Sequence, residues 1–282
     1  MKMSSLAQIV LAAALAAGAA AAGEWDPVSG YGDNSLGGGM ESFRQTMSRA
    51  SEQISSTMKA GAGKKLVCID PGHPSPFNSG YEKQNGTTET HINWVVAEKL
   101  KKALEGKGVR VMMTKSEERQ LVDNQDRAVM SNKAADKFFE ENSGGVALVV
   151  HLHCDTGPHN GFAVYYPDRK GKYTGVSGDE PNIGFTGPTV GIQESSKQLA
   201  GAVESAMSGR LSGKVKSNGV KGDSKTAVGG RQGALTFSIF SKIPTITVEM
   251  VTLSSKRDVE FIKTESGQQQ MAQAIADGLI GY

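Results

Sequence analysis

The chain has 282 residues, 38% of them hydrophobic, and its 31 Lys and Arg against 29 Asp and Glu leave a formal charge of +2. That is enough apolar material for a substantial core and too little for a multispanning membrane protein, and the bulk charge gives no support to nucleic-acid binding. Two cysteines exclude a disulfide scaffold, and the composition excludes a collagen, a coiled-coil rod and a DNA-packaging protein.

Lys2 precedes an uncharged run, Leu6 to Ala22, that closes in small residues through Gly23. A positive start, an apolar stretch and a small-residue end predict a secretory signal peptide over 1–22, and so an exported protein, periplasmic or extracellular. Residues 23–39 are rich in Gly, Asp and Ser and read as a linker. Met40, Phe43, Met47, Ala50, Ile54 and Met58 then recur every three or four residues, one apolar stripe predicting a helix over about 40–58. Packing back onto the main domain is the favoured role, docking to a partner the other. Gly61-Ala62-Gly63 separates it from the domain expected over 64–282.

From Lys64 the chain alternates strand and helix signals. Leu66 to Ile69 is a short apolar run closed by Asp70-Pro71-Gly72. Ile92, Val96, Leu100 and Leu104 mark a helix face ended at Gly106. A strand is expected at Val109–Met113, a helix at Asp123–Glu141, strands at Val146–Val150 and Phe162–Tyr166, and a helix at Ser195–Leu211. A strand at Ile243–Val248 precedes a last helix carrying Met271, Ile275 and Leu279. Such alternation predicts a single α/β domain, a mostly parallel twisted sheet covered by helices on both faces. Between Tyr166 and Ser195 lies a Gly- and Pro-rich insertion, about 167–194, long enough to be functional. Asp179, Glu180 and Glu194 lie within it.

In parallel sheets ligands bind beyond the carboxyl ends of the strands. His73 follows the first strand, His151 and His153 the third, and Glu249 ends the strand before the last helix, while Glu89 opens the first helix. These positions share one edge. Two imidazoles and one carboxylate leave a fourth coordination position open for water on zinc, and a spare carboxylate supplies proton transfer. His151 and His153 are two apart on a strand and face the same way, so by spacing either can ligate.

Val67-Cys68-Ile69-Asp70-Pro71-Gly72-His73, Glu89 with Asn93, His153-Cys154-Asp155, Gly161-Phe162 and Val248-Glu249-Met250 stand in the order of a known set. The chain resembles the zinc-dependent N-acetylmuramoyl-L-alanine amidases of bacterial cell walls, over about Lys64 to Tyr282. The resemblance implies that His73, Glu89 and His153 hold Zn²⁺ and that Glu249 is the catalytic carboxylate. It implies hydrolysis of the amide between N-acetylmuramic acid and the L-alanine of the peptidoglycan stem peptide. It also implies a protein activator, since some relatives carry an inhibitory insertion that an activator displaces, a role in which Asp179, Glu180 and Glu194 of 167–194 would be metal-masking carboxylates. His151 departs from the small residue usual there and is assigned a supporting or substrate-side role. Arg127 and His159 are further candidates for substrate contact, Arg127 with Asn132 matching the family's helix pattern. Pro74 replaces the usual Gly after the first His, and Lys115 stands where Arg is common.

Cys68 and Cys154 are expected about 15 Å or more apart along neighbouring strands, too far for a disulfide. Cys154 as a nucleophile explains fewer residues than the His and Glu set. A zinc peptidase acting on the stem peptide and a non-catalytic wall-binding protein are the alternatives.

Overall fold

In a computed structural model the described residues are 64–175 and 182–282. The signal peptide, linker and helix expected over 1–63 lie outside them, as do Asp179 and Glu180. Six strands form the main sheet: β1 (Lys65–Pro71), β2 (Arg110–Met113), β3 (Val146–Asp155), β4 (Phe162–Tyr166), β7 (Ser217–Gly222) and β8 (Thr245–Thr252). Their order is β2-β1-β3-β8-β4-β7, and β5 (Gly171–Lys172) and β6 (Thr186–Gly187) pair separately. β2, β1, β3 and β8 are mutually parallel; β4 runs antiparallel to β8, and β7 follows β4. The sheet is therefore mostly parallel, as expected. One edge gathers the carboxyl ends of β1, β3 and β8 with the amino ends of β4 and β7.

Both faces of the sheet are covered. Val67, Ile69, Leu148, Val150 and Val248 pack under α1 (Glu89–Glu105), α3 (Val190–Arg210) and α7 (Glu265–Gly281). Leu66, Cys68, Ala147 and Val149 point the other way, toward α2 (Asn124–Glu141) and α5 (Thr236–Phe240). Burial on both sides is why β1 and β3 read as continuous apolar runs instead of alternating ones. The short helices α4 (Ala227–Gln232) and α6 (Lys256–Ile262) complete the described chain. Among the described residues no helix is long and apolar enough to cross a membrane.

Several boundaries differ from expectation. β3 continues past Val150 to Asp155, so His151 and His153 lie within the strand, and β8 runs four residues beyond Val248 with Glu249 inside it. α3 starts at Val190, not Ser195, because Thr189 caps it by accepting from the Ile192 N–H. β7 and the helices α4 to α6 carried no legible periodicity.

Candidate metal centre

The first histidine sits on a pinned turn. β1 ends with the Gly72 N–H donating to the Leu152 carbonyl at 2.9 Å. His73 then adopts a left-handed backbone, φ +58°, a cost of about 1–3 kcal/mol that surrounding contacts must hold. Asn93 Nδ2 donates to the Gly72 carbonyl at 3.1 Å, and Arg127 donates to the carbonyls of Pro71 and Pro74, each at 2.8 Å. Lys115 donates to the His73 carbonyl itself. The imidazole Nδ1 meets the Asn78 carbonyl at 3.1 Å. A carbonyl only accepts, so Nδ1 carries the proton and Nε2 keeps its lone pair for a ligand.

Glu89 is the first residue of α1, set in place because Thr88 caps that helix. Its Oε2 lies 3.3 Å from His73 Nε2, and its Oε1 lies 3.0 Å from His153 Nδ1 and accepts from the Cys154 N–H at 3.1 Å. Burial alone would push this carboxyl up, but the imidazoles of His153 and His73 against it hold it well below the usual carboxylate range. The two imidazoles stand edge to face, their centroids 5.0 Å apart at 87°. One ligand atom from each of His73, Glu89 and His153 falls within 4.8 Å of the others. Two imidazole nitrogens and an ionised carboxylate at that spacing fit a divalent metal with an open position.

Gly72 makes this closeness possible. A Cβ there would meet the His153 ring at 2.4–2.8 Å. Gly72→Ala should therefore displace His153 and cost at least tenfold in metal affinity with the fold retained, as metal titration beside thermal melting would show.

Glu249 is the register partner of His153 across β3 and β8, and of Ala163 across β8 and β4. Its Oε2 is buried without a hydrogen-bond partner. Burial, then the negative charges of Glu89 and Asp155, push its carboxyl well above the usual range. A carboxyl of raised proton affinity beside three candidate ligands is suited to accepting and releasing protons.

The other expected site residues fall into different places. His151 does not join the cluster: it is 5% exposed, with Nδ1 at 2.7 Å from Asp70 and its ring 3.7 Å from that of Phe237. Of the two candidate strand histidines, it is His153 that reaches Glu89. Arg127 does not face the cleft either. It is 1% exposed and pairs with Asp70 at 2.7 Å, its other donors going to the carbonyls of Val122, Pro71 and Pro74. Asp70 had no role in the sequence reading, yet it links Arg127, His151 and Thr114 beneath the His73 turn. Its invisibility follows from its being buried, where only the partners reveal the purpose. Asn132 joins α2 to the Phe240 carbonyl, and His91 pairs with Glu118 on the surface. His159 lies exposed on the loop after β3.

Both cysteines are free. Cys154 is buried, its Sγ 3.6 Å from Asn93 Oδ1, and burial pushes its thiol well above the ordinary value, which disfavours the nucleophilic thiolate. Glu194 cannot mask the metal. Its neighbour Ser196 accepts from the Thr245 N–H at the amino end of β8, so the start of α3 lies at the edge of the sheet away from Glu249.

The family model for N-acetylmuramoyl-L-alanine amidase matches residues 67–281. The chain is 22% identical over 231 residues to N-acetylmuramoyl-L-alanine amidase AmiA of Escherichia coli, covering 79% of this chain and 78% of that one. Among solved structures it is similar to amidase AmiC2 of Nostoc punctiforme, with TM-score 0.57 and 22% identity over 79% of this chain and 98% of that one. It is also similar to the CwlD amidase of Clostridioides difficile, solved in complex with the GerS lipoprotein, with TM-score 0.50 and 19% identity over 77% and 98% of the two chains. With all of the sheet but the first two residues of β1, and the candidate metal cluster, inside the matched region, the chain belongs to the N-acetylmuramoyl-L-alanine amidase family and is a peptidoglycan amide hydrolase.

Proposed function

We propose that the metal is zinc, held by His73, Glu89 and His153, and that Glu249 is the catalytic carboxylate for cleavage between the lactyl group of N-acetylmuramic acid and L-alanine. The observation that carries this reading is the unpartnered, buried Oε2 of Glu249 beside the three-ligand cluster. When bound, zinc supplies Lewis-acid polarisation of the scissile carbonyl and lowers the pKa of water. Glu249 accepts the proton of the attacking water and delivers it to the leaving nitrogen, so that the amine departs neutral. Asn78 orients His73 from behind, and Asp70 with Arg127 fixes the turn that presents it.

The substrate lies outside the cytoplasmic membrane, which agrees with the signal peptide expected over 1–22. We include in the proposal a protein activator, supported by the GerS complex of the CwlD neighbour. The test is release of L-alanine amino-termini from purified peptidoglycan. Chelator should abolish release and added zinc restore it. Cleavage within the stem peptide would replace this reading with a zinc peptidase, and bound zinc without any cleavage, with or without candidate activators, would favour a wall-binding role.

A further inference from the structure

Asn78 brackets the His73 imidazole. Its carbonyl takes the Nδ1 proton at 3.1 Å, and its side-chain Nδ2 stands 3.5 Å from Nε2, the nitrogen left free for a ligand. The amide has one orientation. Its Oδ1 accepts from the Gly80 N–H at 2.9 Å, which an amide nitrogen cannot do, so it is Nδ2 that faces the ring. The backbone of Asn78 is fixed as firmly. Ser75 and Asn78 close a tight hairpin, N–H to carbonyl at 2.8 Å one way and 3.2 Å the other, and the Ser75 Oγ donates to the Asn78 carbonyl at 3.3 Å. The residue is nonetheless exposed, so its amide is held in place and open to a substrate. Among the described residues Nδ2 has only His73 Nε2 as its acceptor, and a nitrogen whose lone pair holds a metal no longer accepts. In the loaded enzyme that N–H is a free donor at the rim of the cluster.

The order of the sheet says which substrate atom it meets. β3 lies between β1 and β8, so Asn78, beyond the end of β1, and Glu249, on β8, approach from opposite sides of His153. Glu249 serves the leaving nitrogen, which must gain a proton. A side-chain amide does not give its proton away at neutral pH; it holds an acceptor that stays. On the scissile bond that acceptor is the acyl oxygen, which gathers negative charge as water adds to the carbonyl carbon. We propose that Asn78 Nδ2 is a catalytic donor to that oxygen, its hydrogen bond strengthening as the charge develops. The inference rests on the amidase reading.

Asn78→Ser removes the amide and keeps a hydroxyl able to take the Gly80 N–H in the same two-residue turn. With the full chain at saturating metal, hydrolysis of a soluble muramoyl peptide is expected to fall about 10²-fold in kcat, with KM within about twofold of the parent's. Metal affinity should be unchanged, because the Asn78 carbonyl that orients His73 remains. A phosphinate in place of the scissile carbonyl of a muramoyl dipeptide reports the same contact without turnover. By calorimetry the variant should bind it about 10²-fold more weakly than the parent does. Weakened metal binding with turnover restored by excess metal would make Asn78 a support for His73 alone. A loss confined to KM would make the contact one of the ground state, and unchanged kcat or unchanged phosphinate binding would remove it. Each of these overturns the proposal and leaves the amidase intact. A parent enzyme that cleaves neither the muramoyl peptide nor whole peptidoglycan sinks the amidase reading and the proposal together.

Discussion

Glu249→Gln is expected to lower peptidoglycan amide hydrolysis by roughly 10²–10⁴-fold while the metal content of the protein is unchanged. The substitution keeps volume and removes the carboxylate proposed to pass protons. Glu249 is not within the three-ligand cluster, and no side chain depends on its Oε2, so the fold should tolerate the change. The loss should fall on kcat more than on KM, because the proton transfers belong to the transition state. Relieving the repulsion among Glu249, Glu89 and Asp155 should leave the protein as stable as the parent or slightly more so. Metal analysis, melting and kinetics on one preparation separate the outcomes. Lost zinc would mean that Glu249 is a ligand, and unaltered turnover would remove it from the chemistry.

Arg127→Met is expected to have the largest effect on stability, a loss of about 3–5 kcal/mol at neutral pH. Folded domains hold only about 5–15 kcal/mol in reserve, so much of the chain would be unfolded at modest temperature. Arg127 and Asp70 are each 1% exposed and meet at 2.7 Å. Removing the guanidinium strands a buried carboxylate and frees the carbonyls of Pro71 and Pro74. The pH dependence follows from Asp70. Burial opposes its ionisation, but Arg127 and then His151 hold its carboxyl well below the usual range. In the parent protein that depressed value gives stability fully present above the unfolded pKa near 4 and lost as pH falls below it. In the variant the penalty is greatest where Asp70 would have to be charged, so the gap between the two proteins should narrow as pH falls toward 4. Urea unfolding at pH 7 and pH 4.5 measures this; an equal gap at both would assign the loss to packing instead of the stranded charge. Metal affinity should fall as well, since the His73 turn hangs from the same guanidinium.

The catalytic edge was more legible than the frame that supports it. His73, Glu89 and Glu249 stand out because polar residues next to apolar runs are conspicuous in a buried parallel sheet. His151 and His153 were indistinguishable by spacing, since both face one side of β3. What separates them is depth, with Asp70 capturing one and Glu89 the other. The reversal of β4 and β7 left no mark. β7 reads Ser-Asn-Gly-Val-Lys-Gly, poor in branched and aromatic residues and without alternation, and its strand state comes from pairing with β4. The helices α4, α5 and α6 have five to seven residues, too few for a helical period to declare itself. Polar residues from His151 and Glu249 onward hide the true ends of β3 and β8 from the sequence, although pairing continues to Asp155 and Thr252.

The direction of β1 decides which way the enzyme faces its work. At the amino end of β1 the Lys65 Nζ donates to the carbonyls of Leu279 and Ile280 from the last helix, and His73 lies beyond the other end of the strand, about 23 Å away. Anything that binds the Lys65 end of the sheet therefore leaves the opposite edge clear for a bulky polymer.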